Sequence, residues 1–169
     1  MVGLMREHGP YVFKEGKKEF ERNPWAWNRE ANVFYVDAPS TTGFSICTSN
    51  DNCIYDDVIT AQENLVALAE ILKKFPDIQK NDLYLAGEEY AGIFVPELAK
   101  KVEEWNANCT VSKDCAVEPN LKGFIVGNGY TDPKYDKLDN AMDMAYWFGL
   151  IDSKLFELLK IDGCSFVIP

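Results

Sequence analysis

Residues 84–96, YLAGEEYAGIFVP, place chemically capable side chains at a sharp change of secondary structure. The segment begins with a strand-like pattern, breaks at Gly87 and continues with a helix-like pattern beyond Gly92. Two adjacent carboxylates, Glu88 and Glu89, lie at the break. A side chain at the tip of such a turn lies at the N-terminus of the following helix, whose dipole favours negative charge. The segment is therefore a candidate site for nucleophilic or anion-stabilising chemistry.

GEEYAG, at 87–92, resembles the nucleophile elbow of a hydrolase, where glycines flank a serine because the turn brings backbones close together. Glu89 occupies the serine position, and the backbone N–H of Tyr90 would be one oxyanion donor. A carboxylate at an elbow can attack an alkyl carbon or an epoxide, but attack on a peptide would give an anhydride. An ordinary tight turn between a strand and a helix is the non-catalytic alternative.

Four of the five cysteines form two closely spaced pairs. Five residues separate Cys47 from Cys53, and five separate Cys109 from Cys115, in stretches rich in turn-forming residues. The spacing predicts two disulfide loops and an oxidising compartment. Zinc is the alternative, but the spacing is not C-x2-C and the single histidine, His8, is remote in sequence. We therefore predict neither a metal nor a cofactor.

Two further features concern processing. Asn108, followed by Cys109 and Thr110, forms an N-x-[ST] sequon and is a glycosylation candidate. Cys164 has no predicted partner, which suggests a free thiol or a partner in another segment. The N-terminal MVGLMREHGP lacks the apolar core of a signal peptide, so none is predicted in this sequence.

Composition excludes several classes of partner. The 169 residues have a formal net charge of −10, which argues against nucleic acid or an anionic membrane. No apolar run approaches the roughly 18 residues that span a bilayer.

Strand-like and helix-like patterns alternate along the chain. Strands are predicted over 31–37, 82–86 and 121–129. The first predicted helix has apolar residues at helical spacing and ends at a proline: Val58, Ala61, Leu65, Leu68, Leu72, Phe75 and Pro76. A second is predicted to restart at Pro96, with a polar loop over 106–119, and two more end near Gly149 or are capped by Asp152. Alternation predicts an α/β fold with a parallel sheet flanked by helices, although three strands are few for such a sheet.

Five collinear segments closely resemble the serine carboxypeptidase family of α/β-hydrolases. They are EHGP at 7–10, RNPWAWN at 22–28, NVFYVDAPSTTGFS at 32–45, EEYAGIFVPELA at 88–99 and LKGFIVGNGYTDP at 121–133. The resemblance implies a partial α/β-hydrolase fold that lacks the N-terminal and C-terminal strands of the family, with 1–169 as a single partial domain. It also implies a vacuolar, lysosomal or secreted protein.

The same resemblance implies roles for individual residues. Glu89 lies where the family has its nucleophilic serine, while Glu7 and Glu88 match glutamates that bind the terminal carboxylate of a peptide. The second oxyanion donor and the catalytic aspartate and histidine belong to family segments outside this sequence, and His8 is not assigned the base role.

We therefore predict a catalytically inactive relative of the family, whose ancestral reaction releases C-terminal amino acids from peptides. A non-catalytic binding or assembly module is the first alternative; its partner would be a peptide C-terminus or another protein chain, with oligomers formed through exposed sheet edges. A hydrolase with a carboxylate nucleophile is the second.

Overall fold

A computed structural model describes residues 2–14, 16–48, 53–112, 115–132, 136 and 139–161, without the side chains of 139–141 and 161. The chain divides into two compact units. Unit 1 comprises Met1–Leu83 with Glu97–Lys122, and unit 2 comprises Tyr84–Pro96 with Gly123–Pro169. The regular elements are β1 (Tyr11–Phe13), β2 (Phe20–Arg22), α1 (Asp57–Lys74), β3 (Leu83–Glu88), α2 (Ala91–Ser112), β4 (Leu121–Gly127), α3 (Asp139–Trp147) and α4 (Ser153–Ile161).

Unit 1 begins with a π-helical turn over Gly3–Glu7 and a short hairpin. Strands β1 and β2 are antiparallel, with Val12 opposite Glu21. The sequence patterns did not predict this hairpin, because three-residue strands are too short to establish a period of two.

Helix α1 confirms the helix predicted from apolar spacing. Asp56 caps its N-terminus by accepting a hydrogen bond from the Ile59 N–H (2.6 Å). The helix ends at Lys74, just before Pro76, as the proline predicted. Its buried face contributes Ala69 and Leu72 to a small core with Val117, and the other buried positions are Thr60, Ala61 and Leu65.

Strands β3 and β4 confirm the strands predicted over 82–86 and 121–129. The Leu83 N–H donates to the Asn120 carbonyl at their starts (2.9 Å), and the Glu89 N–H donates to the Gly127 carbonyl at their ends (3.1 Å). Matching starts and ends make the pair parallel, as an α/β fold requires.

The predicted strand over 31–37 is wrong. Within the described part of the chain, residues 32–38 belong to no strand and to no helix. Phe34 and Val36 are 45% and 51% exposed. An apolar segment of this kind becomes a buried strand only beside hydrogen-bonding neighbours, whereas β3 and β4 pair with each other.

Helix α2 corrects two boundaries. It starts at Ala91, five residues before Pro96, so the proline lies inside the helix and does not begin it. A proline there removes one backbone hydrogen bond, a local cost that the following turns outweigh. The helix also continues to Ser112, so the first half of the predicted 106–119 loop is helical.

In unit 2, helices α3 and α4 agree with the two predicted C-terminal helices. Gly149 has a φ of 70° just beyond α3, where glycine is favoured. The Leu155 N–H donates to Asp152 Oδ1 (2.8 Å), which confirms the predicted cap of α4. None of the helices in the described part of the chain combines the length and apolar composition needed to cross a membrane.

Candidate active site at the elbow

The turn between β3 and α2 places Glu89 at its tip. Its φ is 56°, in the left-handed region that non-glycine residues rarely adopt. Backbone hydrogen bonds fix this conformation. The Glu89 N–H donates to the Gly127 carbonyl (3.1 Å), and the Glu89 carbonyl accepts from the N–H groups of Tyr130 (2.8 Å) and Gly92 (2.9 Å). The tip is therefore tied to both the end of β4 and the first turn of α2.

Two glycines allow this close approach. A Cβ atom at Gly87 would lie 2.4 Å from the Ala91 Cβ, and one at Gly92 would lie 2.4 Å from the Tyr130 carbonyl oxygen. Neither distance is possible for real side-chain atoms without backbone movement. Gly87 and Gly92 thus occupy the elbow positions at which the sequence pattern requires glycine.

The Glu89 side chain folds back onto its own turn. Its Oε2 accepts a hydrogen bond from the Tyr90 N–H at 2.7 Å. That N–H is the donor that the sequence assigned to an oxyanion. Sequence spacing alone could not predict this contact, because it depends on the side-chain rotamer at a left-handed backbone position.

Aromatic rings surround the Tyr90 side chain. The Tyr90 ring stacks on Tyr130 (centroids 5.9 Å apart) and meets Phe94 edge-on (5.0 Å). Glu88, Glu89 and Tyr90 are all exposed, so the elbow is open to solvent within unit 2.

Glu7 lies in unit 1, at the end of the π-helical turn. The buried Asn23 side chain donates to the carbonyls of Glu7 and Gly9 (3.0 Å each), which fixes the EHGP segment. The Glu7 side chain is partly exposed and lies 3.8 Å from His8 Nε2. Because Glu7 and Glu88 belong to different units, their joint binding of one carboxylate stays a prediction.

The DAPSTTGFS segment of unit 1 forms a compact turn around Asp37. The Phe44 N–H donates to Asp37 Oδ2 (3.0 Å), and this hydrogen bond lowers the pKa of the Asp37 carboxyl. Gly43, with φ of 55°, is required because its Cβ would lie 2.1 Å from the same carboxylate. The Asp37 side chain therefore organises the turn.

Both predicted disulfides are present, Cys47–Cys53 and Cys109–Cys115. Asn108 is exposed on the last turns of α2, while Cys164 lies outside the described residues. Within the described residues, no group of three His, Cys, Asp or Glu side chains is arranged to hold a metal ion.

Comparison with known proteins shows the family and the fold of this chain. The profile of the serine carboxypeptidase family matches residues 1–166. Serine carboxypeptidase-like 21 of Arabidopsis thaliana is 40% identical over 169 residues, covering 95% of this chain and 32% of the relative. The lysosomal protective protein of Mus musculus is 36% identical over 166 residues, covering 96% of this chain and 32% of the relative.

Among solved structures, a prohormone-processing carboxypeptidase from Saccharomyces cerevisiae matches with a TM-score of 0.73 at 23% identity. The match covers 97% of this chain and 37% of that one, and it shows the fold. The chain thus spans about a third of the length of these relatives. From the family match and the shared fold, we conclude that this chain belongs to the serine carboxypeptidase family and has part of its α/β-hydrolase fold.

Proposed function

We propose that this chain keeps the nucleophile elbow of a serine carboxypeptidase but does not perform the serine hydrolase reaction. The observation that carries the proposal is Glu89, a carboxylate at the strained tip, hydrogen-bonded to the Tyr90 N–H (2.7 Å). Loss of the nucleophile typically removes about 10⁶-fold of the rate in triad enzymes. Whatever else the protein contains, no serine stands at the elbow.

The Glu89 carboxylate also accepts a hydrogen bond from the Tyr90 N–H, the group that would donate to an oxyanion during catalysis. In an active enzyme, a negatively charged oxygen develops beside the elbow N–H only in the transition state. Here the Glu89 side chain already accepts that hydrogen bond, so an incoming oxyanion would have to compete for it. The change from serine to glutamate therefore removes the nucleophile and blocks one oxyanion donor together.

The test compares wild-type protein with Glu89→Ser and Glu89→Gln, each in the protein as naturally produced. The substrate is an N-blocked dipeptide, and the measurement is release of its C-terminal amino acid. We expect no difference between wild type and Glu89→Gln. We expect a rise in release for Glu89→Ser when the protein also supplies the catalytic aspartate and histidine of the family, because the serine restores the nucleophile and frees the Tyr90 N–H. Release by the wild type that a serine-reactive phosphonate abolishes would contradict the proposal.

A carboxylate-nucleophile hydrolase is a minor alternative. It requires a covalent ester on Glu89, which mass spectrometry of the quenched reaction would detect on the peptide containing residue 89. Because Glu89→Gln cannot form that ester, any activity of this kind must disappear in the variant.

A binding or assembly module is the second candidate, favoured by the sheet and by exposed apolar side chains. In the described part of the chain, β3 and β4 pair only with each other, which leaves their outer edges available to another strand. In unit 2, Trp147 and Leu150 are 81% and 78% exposed, which is typical of surfaces that contact another protein. Sedimentation at micromolar concentration tests this candidate, and a folded, monodisperse monomer with no partner would count against it.

We also propose an oxidising location, vacuolar, lysosomal or secreted. Two disulfides and similarity to a relative named a lysosomal protective protein support it.

A further inference from the structure

A polar cleft lies within unit 1, between the turn that follows α1, the second half of α2 and the segment that leads into β4. Its volume is about 380 Å³, within the range of about 300–1,000 Å³ that is usual for small-molecule pockets. Its polar lining consists of the amide side chains of Gln79, Asn106 and Asn120 and the charged side chains of Lys80 and Glu118. A lining of this kind suits a small hydrophilic ligand.

The three amide side chains use their NH2 groups on the protein itself. The partners are oxygen atoms that only accept hydrogen bonds: the Pro119 carbonyl for Asn106 Nδ2 (2.8 Å), the Leu72 carbonyl for Gln79 Nε2 (3.0 Å) and Asp82 Oδ1 for Asn120 Nδ2 (3.0 Å). Because these partners accept, each amide must present its nitrogen to them, and this fixes its oxygen on the other arm of the planar group.

The oxygens of the same amides receive no hydrogen bond from the residues that the structure describes. Asn106 Oδ1 is buried without a donor, which is unfavourable for a polar atom. Gln79 and Asn120 are only partly buried, so their oxygens are open to a ligand. A ligand reaches Asn106 Oδ1 only if the wall moves, and satisfying that acceptor favours the movement. The cleft therefore complements a group with several hydrogen-bond donors.

Two opposite charges line the cleft without pairing. Lys80 and Glu118 are both exposed, and neither forms an ion pair within the described part of the chain. A primary ammonium supplies three N–H donors and is attracted by a carboxylate, while a carboxylate is attracted by a lysine. A neutral polyol would leave both charges unpaired, and a simple anion would meet a protein with a net charge of −10. A zwitterion matches both charges and the unused acceptors.

We propose that this cleft binds a small zwitterion, with the free α-amino acids as the chemical class. The ammonium group of the ligand donates to the amide oxygens of Gln79 and Asn120 and lies near the Glu118 carboxylate. The carboxylate of the ligand lies near the Lys80 ammonium. Because all of these residues belong to unit 1, the proposal does not depend on the chemistry of the elbow.

Four small probes separate the contributions of charge and hydrogen bonding. They are glycine as the zwitterion, ethylammonium as the cation, acetate as the anion and erythritol as the neutral polyol. Dissociation constants are measured near neutral pH by ligand-observed NMR titration of the protein as naturally produced. We expect glycine to bind at least about tenfold more tightly than each of the other three, since each of these lacks at least one charged contact.

Variants at the cleft identify where glycine binds. Glu118→Gln and Lys80→Met should each weaken glycine by about tenfold, and Lys80→Met should bind glycine no better than ethylammonium. Gln79→Met removes one amide acceptor and should weaken glycine and ethylammonium alike. Glu103→Gln and Lys100→Met are the matched controls, because these exposed residues of α2 change the net charge equally but do not line the cleft. The controls should bind glycine as the wild type does.

Several results would overturn the inference. They are absent binding of glycine, equal binding of glycine and any other probe to the wild type, and unchanged glycine binding in Glu118→Gln, Lys80→Met or Gln79→Met. Equal weakening in the two control variants would overturn it as well, because the effect would then come from the overall charge of the protein and not from the cleft.

Discussion

At the scale of single residues, Glu89 decides what the elbow can do. Its left-handed backbone costs about 1–2 kcal/mol for a non-glycine residue. Hydrogen bonds from Tyr130 and Gly92 to its carbonyl, and from Tyr90 to its carboxylate, compensate for that cost. Two of these three hydrogen bonds are accepted by the backbone carbonyl and one by the side chain, so the turn geometry depends mainly on backbone contacts.

Asp136 gives a prediction at the same scale. The N–H groups of Asp132 (2.9 Å) and Thr131 (2.6 Å) and the Thr131 hydroxyl (2.9 Å) all donate to its Oδ2. These bonds lower the pKa of the Asp136 carboxyl from its ordinary 3.8, the Asp132 N–H having the largest effect. A lowered folded-state pKa adds stability above pH 3.8 that is lost as the pH falls through the folded-state value.

We therefore expect Asp136→Asn to lose less stability than the wild type between about pH 5 and pH 2.5, measured as the urea midpoint. Asp143→Asn is the control. Asp143 is an exposed aspartate in the same unit, and its ion pair with Lys160 is long (4.0 Å). An identical pH dependence in wild type and Asp136→Asn would contradict the assigned role.

At the scale of elements, the sequence patterns predicted helices α1 and α4, because a helix depends on interactions between residues close together in sequence. The spacing from Val58 to Phe75 predicted α1, and Asp152 predicted the start of α4. Residues 31–37 failed as a strand because a strand exists only through partners distant in sequence. The contacts of Glu89 with Tyr90 and of His8 with Tyr35 were also missed, since they depend on rotamers and tertiary packing.

The two glycines Gly87 and Gly123 provide a matched pair of variants, one in each strand of the parallel pair. A Cβ at Gly87 would lie 2.4 Å from the Ala91 Cβ and 3.0 Å from Val95 Cγ2, whereas at Gly123 the nearest atom is 3.8 Å away. We expect Gly87→Ala to destabilise the protein by about 1–3 kcal/mol through overpacking. Gly123→Ala should be tolerated.

Urea unfolding of the two variants measures the difference. Equal stabilities would mean that the first turn of α2 can move away from β3 without cost, and that the elbow does not depend on close packing at Gly87.

At the scale of the whole molecule, the net charge argues against one class of partner, whereas family membership gives the fold but no specific partner. The net charge of −10 disfavours polyanions without choosing among other ligands. Family membership supplies a fold and an elbow, but the chain spans about a third of its relatives. The activity, substrates and partners of the whole protein therefore stay proposals, each tied to a named contact.

The proposed oxidising route gives the last prediction. Asn108 is exposed on α2, and Thr110 completes its sequon, with the Thr110 hydroxyl donating to the Asn106 carbonyl (3.0 Å). Cys109, between them, is buried and bonded to Cys115, so the glycan must be added before or without disturbing this disulfide.

We expect the protein made through a secretory pathway to carry an N-glycan at Asn108 and no free thiol among Cys47, Cys53, Cys109 and Cys115. Thr110→Ala should lose the glycan, whereas Thr110→Ser should keep it because serine also completes the sequon. Intact mass before and after glycosidase, under non-reducing conditions, measures both modifications. Unmodified mass with reactive thiols at these cysteines would contradict the oxidising location, because both the glycan and the disulfides depend on that route.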